Sequence, residues 1–242
     1  MKIELLLSLI IIHCIVDFFL QNDSTIKKKS RLCLKVHILH AVLHGIFSYL
    51  ILGFFISWKE WIFPVSIFIS HFFIDLGKCL ILQKIKTFRI LIFLLDQFIH
   101  LSLIIILWDF FYFKGLSFFY LLNVFISKKI LLIFLFFLLL LKPTSILISF
   151  FLEKFNTDAD YIQNSETGIE QAGEFLGYLE RIFIYIFILT SHFQAIGFLL
   201  AAKSVFRFKD QPYRSTEYIM IGTFLSFLVA IIFGLSVAKL IS

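Results

Sequence analysis

The sequence is poor in cysteine and in charge. Its three cysteines, Cys14, Cys33 and Cys79, are an odd number without CxxC spacing, so no disulfide framework is expected. Charged residues make up only 16% of the chain and hydrophobic residues 60%, and the mean hydropathy is +0.98. A soluble core of 242 residues does not need that much apolar surface. The composition therefore predicts an all-α, polytopic integral membrane helical bundle surrounded by the lipid bilayer.

The first hydrophobic stretch lacks the features of a removable signal peptide. It runs from Ile3 to Leu20 without an A-x-A-type cleavage site, and it carries His13 and Asp17. We therefore expect this stretch to remain in the protein as a membrane helix.

The positive charge is concentrated in short loops. The net charge of +6 comes from clusters of Lys and Arg between hydrophobic stretches, where such clusters orient membrane helices. No nucleic acid is expected as a partner. The densest clusters, in loops 22–35 and 78–89, predict cytosolic loops and an N-terminus outside the cell, although the basic turn 203–214 would then also lie outside.

Hydrophobic runs of about 20 residues, the length needed to cross a bilayer, predict about seven transmembrane helices. The expected spans are Ile3–Gln21, Cys33–Ser57, Ile62–Leu82, Ile90–Phe111, Lys129–Leu152, Phe175–Phe206 and Glu217–Leu240. Pro143 should kink the fifth helix. The predicted organisation is a four-helix core (1–113), an interfacial segment with the fifth helix (114–153), a polar loop (154–174) and a two-helix hairpin (175–242).

Nine potential metal ligands lie within the first four predicted helices. An ionisable group in hydrocarbon costs several kcal/mol, so it persists only where it is paired, hydrated or bound. Within each helix the spacings are three or four residues, which places the side chains on one face. The nine residues are His13, Asp17, His37, His40, His44, His71, Asp75, Asp96 and His100.

The depths of these residues agree between helices. At a rise of about 1.5 Å per residue, all nine lie roughly 5 to 16 Å from the cytosolic helix ends. Because successive helices run in opposite directions, random placement would not produce one polar layer. The pattern indicates a shared site.

Imidazole and carboxylate ligands together suit zinc, and also iron, manganese or nickel. We expect one or two divalent transition metal ions, with zinc the preferred assignment. Nine groups exceed the ligands of one zinc, so some would orient the histidines. A metal-bound water is readily deprotonated, and Asp75 or Asp96 is the predicted catalytic base.

Two other interpretations of the cluster remain open. The His/Asp pairs could be hydrogen bonds that only fix helix packing. They could also carry protons or cations across the membrane. An oligomer is compatible with the sequence.

The second half carries basic residues that could bind a substrate. Arg181 lies at the depth of the polar layer, and Lys203 and Arg207 are four residues apart. They are the predicted substrate-binding residues, suited to an anionic headgroup or phosphate. The alternative is that Glu217 pairs with Lys203 or Arg207 at the helix ends.

The chain resembles the DUF3307 family of uncharacterised bacterial membrane proteins. The resemblance rests on HxxxDFxxQ at 13–21, HxxHxxxH at 37–44, HxxxDxxK at 71–78 and DQxxH at 96–100. It continues in GYLER at 177–181, IGFLLAAKS at 196–204, RF at 207–208 and EYxxxGT at 217–223. The resemblance implies a multi-pass protein of the bacterial inner membrane and implies no activity.

The function that these observations favour is a metal-dependent hydrolase acting on a lipid-borne or membrane-proximal substrate. The alternatives are a metal-ion or proton transporter or sensor, and a non-enzymatic membrane module with a structural metal.

Overall fold

The computed structural model describes residues 2–85, 88–113, 129–153, 172–207 and 213–241, and within these ranges the chain forms helices and no strand. The chain divides into two compact units, Met1–Leu135 and Phe136–Ser242. The predicted interfacial segment that precedes the fifth helix and most of the predicted polar loop 154–174 lie outside the described residues.

In its described residues, the first unit contains five complete α-helices and two π-helical segments. The α-helices are α1 (Lys2–Cys14), α2 (Asp23–Ser30), α3 (Leu34–Phe55), α4 (Ile62–Lys84) and α5 (Arg89–Trp108). The π-helical segments Ile15–Phe19 and Asp109–Phe113 extend α1 and α5. Helix α3 packs along α4, α4 packs against α5, and α1 contacts both α3 and α5. Leu5, Leu6 and Leu7 are fully buried, so α1 is enclosed on several faces.

Helix α2 was not predicted. The segment is polar, but Asn22 caps it by accepting a hydrogen bond from the Thr25 N–H at 2.8 Å, as N-cap residues do. The chain bends by 87° between Ile3–Phe19 and Asp23–Ser30. This bend brings the basic segment into contact with α3 and α4.

The α-helices of the second unit are α6 (Lys129–Leu140), which begins in the first unit, α7 (Lys142–Glu153), α8 (Ala172–Leu189), α9 (Phe193–Arg207) and α10 (Tyr213–Ile241). The interruption between α6 and α7 lies next to Pro143, where a kink was predicted. Proline has no N–H for the Leu139 carbonyl, and the Thr144 hydroxyl donates to that oxygen at 2.7 Å. The break therefore leaves no unpaired carbonyl at this position.

Five helical segments of the described residues are long and apolar enough to cross a membrane, with α6 and α7 together counted as one of them, or six if the bent pair at the N-terminus is one span. The count of about seven is therefore not confirmed. The predicted sixth span, Phe175–Phe206, is divided into α8 and α9 because the helix ends at Leu189 and Ser191 adopts a φ of 61°. Large apolar side chains such as Phe54, Phe73 and Phe98 are exposed, which is consistent with contact with lipid.

Candidate metal centre

Five histidines from four helices of the first unit meet in one cluster. They are His13, His40, His44, His71 and His100, and each residue is at most 3% exposed. The rings of His44 and His71 stack with centroids 3.6 Å apart, and those of His71 and His100 lie 4.2 Å apart. His13 lies 5.2 Å from His44 and 5.3 Å from His100 between ring centroids. The polar faces predicted for α1, α3, α4 and α5 therefore point to one place.

Asp17 lies at the centre of the imidazoles. It belongs to the π-helical segment that follows α1, and such segments occur often at functional sites. Its Oδ1 lies 3.0 Å from Nε2 of both His40 and His44 and 3.5 Å from Nε2 of His71. Its Oδ2 lies 3.7 Å from Nε2 of His13. One carboxylate thus faces four imidazoles.

Asp17 Oδ1, His40 Nε2 and His44 Nε2 have the spacing of three ligand atoms around one metal ion. His40 Nε2 and His44 Nε2 are 3.2 Å apart, and each is 3.0 Å from Asp17 Oδ1. Tetrahedral zinc with ligands at about 2.0–2.1 Å requires ligand atoms about 3.3 Å apart. The triangle matches one face of that tetrahedron to within a few tenths of an ångström.

His100 has a tautomer suited to binding a ligand. Its Nδ1 donates to the Asp96 backbone carbonyl at 2.9 Å, so Nε2 of the neutral ring carries a lone pair. Within the described part of the chain, Nε2 of His100 and Nε2 of His71 have no hydrogen-bond partner although both are buried. Metal-binding histidines commonly donate their other N–H to a carbonyl in this way.

Three overlapping groups in the described residues have ligand atoms within 4.8 Å of one another. They are His13, Asp17, His44 and His71; His40, His71 and Asp75; and Asp75, Asp96 and His100. The structure thus brings together eight of the nine predicted ligands. His37 belongs to none of these groups, and its Nε2 donates instead to the Lys29 carbonyl at 3.3 Å, which fastens α2 to α3.

Two lysines pair with the carboxylates predicted as bases. Lys29 of α2 donates to Asp75, and Lys78 Nζ donates to Asp96 Oδ2 at 2.6 Å. The side chain of Lys29 is 8% exposed and that of Lys78 is 25% exposed. Sequence reasoning missed both pairs because it assigned the basic loops to membrane orientation. The Asn22 cap, and the position of Lys78 three residues after Asp75, were the available signals.

Two glutamine amides complete the polar network. Gln97 Nε2 donates to Asp17 Oδ2 at 3.2 Å and to Asp96 Oδ2 at 3.1 Å. Gln21 Nε2 lies 3.0 Å from His40 Nε2. Both residues occur in the motifs on which the family resemblance rests, and their contacts give them a role in positioning the acidic and imidazole groups.

The predicted substrate-binding residues belong to the second unit. Arg181 is buried and donates to the hydroxyls of Ser145 and Ser226. Lys203 donates to Glu180, a pairing that the sequence did not predict. The side chains of Arg207 and Glu217 lie outside the described residues.

The helices of the described residues and the buried cluster define the class of the protein: a helical protein of membrane type with buried His/Asp groups whose ligand atoms lie close enough together to hold a metal ion. The chain belongs to the family described as "Protein of unknown function (DUF3307)", whose model matches residues 5–133. The matched range contains all nine predicted ligands together with Lys29 and Lys78. The chain has no match among curated proteins or among solved structures.

Proposed function

We propose that the protein is a metal-dependent hydrolase of the bacterial inner membrane, acting on a lipid-borne or membrane-proximal ester, amide or phosphoester. The observation that carries the proposal is the triangle formed by Asp17 Oδ1, His40 Nε2 and His44 Nε2, with sides of 3.0, 3.0 and 3.2 Å. His71 is the nearest further ligand, since its Nε2 lies 3.5 Å from the same carboxylate oxygen.

The charge of the centre favours one ion. The centre contains three carboxylates and two ammonium groups, so its formal charge is −1 when the imidazoles are neutral. One divalent ion would bring the charge to +1, and a hydroxide or anionic substrate would neutralise it. Two divalent ions would leave a buried charge of +3, which is costly in a low-dielectric interior. We therefore propose one ion, with zinc the preferred metal.

The chemistry that a bound zinc ion supplies is a readily deprotonated water. Asp96 is the better candidate for the base that accepts the proton, because one of its two oxygens is available. Lys78 and Gln97 both donate to Oδ2, whereas Oδ1 has no hydrogen-bond partner among the described residues. Asp75 groups with His40 and His71, so we assign it to holding the metal. Lys78, the more exposed lysine, lies where it can attract an anionic substrate.

A structural metal is the second candidate, and burial favours it. The five clustered histidines and Asp75 are each at most 5% exposed, and a fully enclosed ion would have no position open to a substrate. Cation transport receives less support, because two ammonium groups among the carboxylates oppose the passage of cations.

Hydrolysis by the purified protein in detergent tests the proposal. Fluorogenic lipid carboxylesters, amides and phosphoesters should reveal a hydrolysis that chelator removes and that zinc restores. Asp96→Asn should lower the rate by a factor of about 100 or more, the typical contribution of a general base. His192→Gln is the control, because His192 is exposed and lies outside the cluster. Bound metal without hydrolysis of any of these substrates would favour the structural role.

A further inference from the structure

The second unit contains a buried arginine without a carboxylate partner. Arg181 is 3% exposed, and within the described residues its hydrogen bonds go to two neutral hydroxyls. Nη1 donates to Ser226 Oγ at 3.0 Å and Nη2 donates to Ser145 Oγ at 2.7 Å. Nε is buried and has no hydrogen-bond partner. A buried charge is normally paired, because removing it from water is expensive.

The nearest carboxylate in sequence does not neutralise Arg181. Glu180 is 6% exposed and accepts a hydrogen bond from Lys203 of α9. Because that pair is already neutral, it leaves the charge of the neighbouring guanidinium in place. The ring of Tyr178 lies 5.3 Å from Arg181 Cζ, and an aromatic ring stabilises a cation only partly.

The groups around Arg181 suit an oxyanion. Its Nε–H and the remaining Nη hydrogens form an edge that can hold two oxygens of one phosphate or carboxylate. The Ser226 hydroxyl accepts from the guanidinium, which leaves its own hydrogen able to donate to the same anion. The Ser145 hydroxyl accepts from Arg181 and also bonds to Tyr178, so it holds the guanidinium in place. Phe175, Leu176 and Phe183 are exposed on the other sides of the same helix, which is consistent with lipid around α8.

We propose that Arg181, held in place by Ser145 and assisted by Ser226, binds the phosphate group of an anionic ligand. This ligand is either a membrane lipid with a phosphate headgroup or free inorganic phosphate. This site lies wholly in the second unit and does not depend on metal bound in the first.

Thermal unfolding of the full-length protein tests this proposal. The protein is purified in a neutral maltoside detergent, freed of lipid and titrated separately with short-chain phosphatidylglycerol, inorganic phosphate and a diacylglycerol that lacks the phosphate. A ligand that binds the folded state raises the melting temperature with concentration, which gives an apparent Kd. Phosphatidylglycerol should raise it and diacylglycerol should not. A shift produced by inorganic phosphate alone would identify free phosphate as the ligand and would also support the site.

The variants decide whether Arg181 is responsible. Arg181→Gln should weaken binding of phosphatidylglycerol by about tenfold or more, equivalent to about 1.4 kcal/mol. Lys239→Gln removes the same charge from α10 of the same unit and should keep the wild-type affinity. If Arg181→Gln does not fold, Ser226→Ala retains the charge and should still weaken binding.

Three results would overturn the proposal. The first is that neither phosphate-containing ligand shifts the wild-type melting temperature. The second is that Lys239→Gln loses as much affinity as Arg181→Gln, which would indicate a general electrostatic attraction. The third is an unchanged affinity in Arg181→Gln, or in Ser226→Ala where that variant replaces it.

Discussion

Lys29 and Asp75 form a buried ion pair between residues 46 positions apart in the chain, and the pair joins α2 to α4. Removing one partner of a buried pair leaves the other charge uncompensated, which costs about 3–5 kcal/mol. Lys29→Gln should therefore lower the melting temperature by roughly 6–20 °C, at about 2–4 °C per kcal/mol for a chain of this size.

Lys28→Gln provides the matched control for Lys29→Gln, since Lys28 is exposed on the same helix. It should change the melting temperature little. The double variant Lys29→Gln/Asp75→Asn should be less destabilised than the sum of its single changes. Equal effects of the two lysine changes would mean that the pair does not hold α2 in place.

Metal content provides a second prediction. Wild-type protein purified without chelator should contain about one equivalent of zinc or a similar ion, as the charge of the centre indicates. His44→Gln removes an Nε2 from the ligand triangle and should abolish most of this metal. His192→Gln makes the same change at an exposed position and should retain it. Elemental analysis of the three proteins measures the result, and wild-type protein without metal would refute the centre.

The two carboxylates predicted as bases should respond differently to substitution by asparagine. Asp96→Asn should retain metal, because the proposed ligand triangle does not include Asp96. Asp75→Asn should lower both metal content and stability, because it removes a proposed ligand and leaves Lys29 buried without its carboxylate. Metal analysis and melting curves on both variants measure the difference. Wild-type metal content and melting temperature in Asp75→Asn would exclude both of its assigned roles.

The interruption next to Pro143 gives a prediction about the second unit. Thr144→Val keeps the shape of the side chain but removes the donor to the Leu139 carbonyl. Leaving a buried acceptor unpaired costs about 1–3 kcal/mol, so stability should fall by that amount. Ser149→Ala removes an exposed hydroxyl that bonds within its own helix and should have little effect. Chemical or thermal unfolding of both variants tests the assignment of this hydrogen bond.

The spacing of residues along each helix predicted which polar side chains share a face, but it did not predict the lysines that pair with the carboxylates. Residues four apart on a helix, such as His71 and Asp75, share a face by helix geometry alone, and the structure brings these faces together. The contact of Lys29 with Asp75 requires the bend before α2 and brings together residues far apart in the sequence. The run of lysines alone therefore does not predict it. The break at Ser191 was also missed, because hydrophobicity continues on both sides of it. Metal binding and catalysis at the cluster remain predictions.

Because of the π-helical segment Ile15–Phe19, the position of Asp17 depends on the exact number of residues in this part of the chain. A π turn closes with an i→i+5 hydrogen bond, so it contains more residues than an α turn, as the bond from Leu20 N to Ile15 O shows. Deleting one residue between His13 and Asp17 would allow a regular α-helix and would rotate Asp17 relative to His13, because Asp17 would then follow His13 by three residues. The rotation would turn Asp17 away from the histidines. Single-residue insertions and deletions should therefore be far more damaging in this segment than at the exposed turn around Lys59.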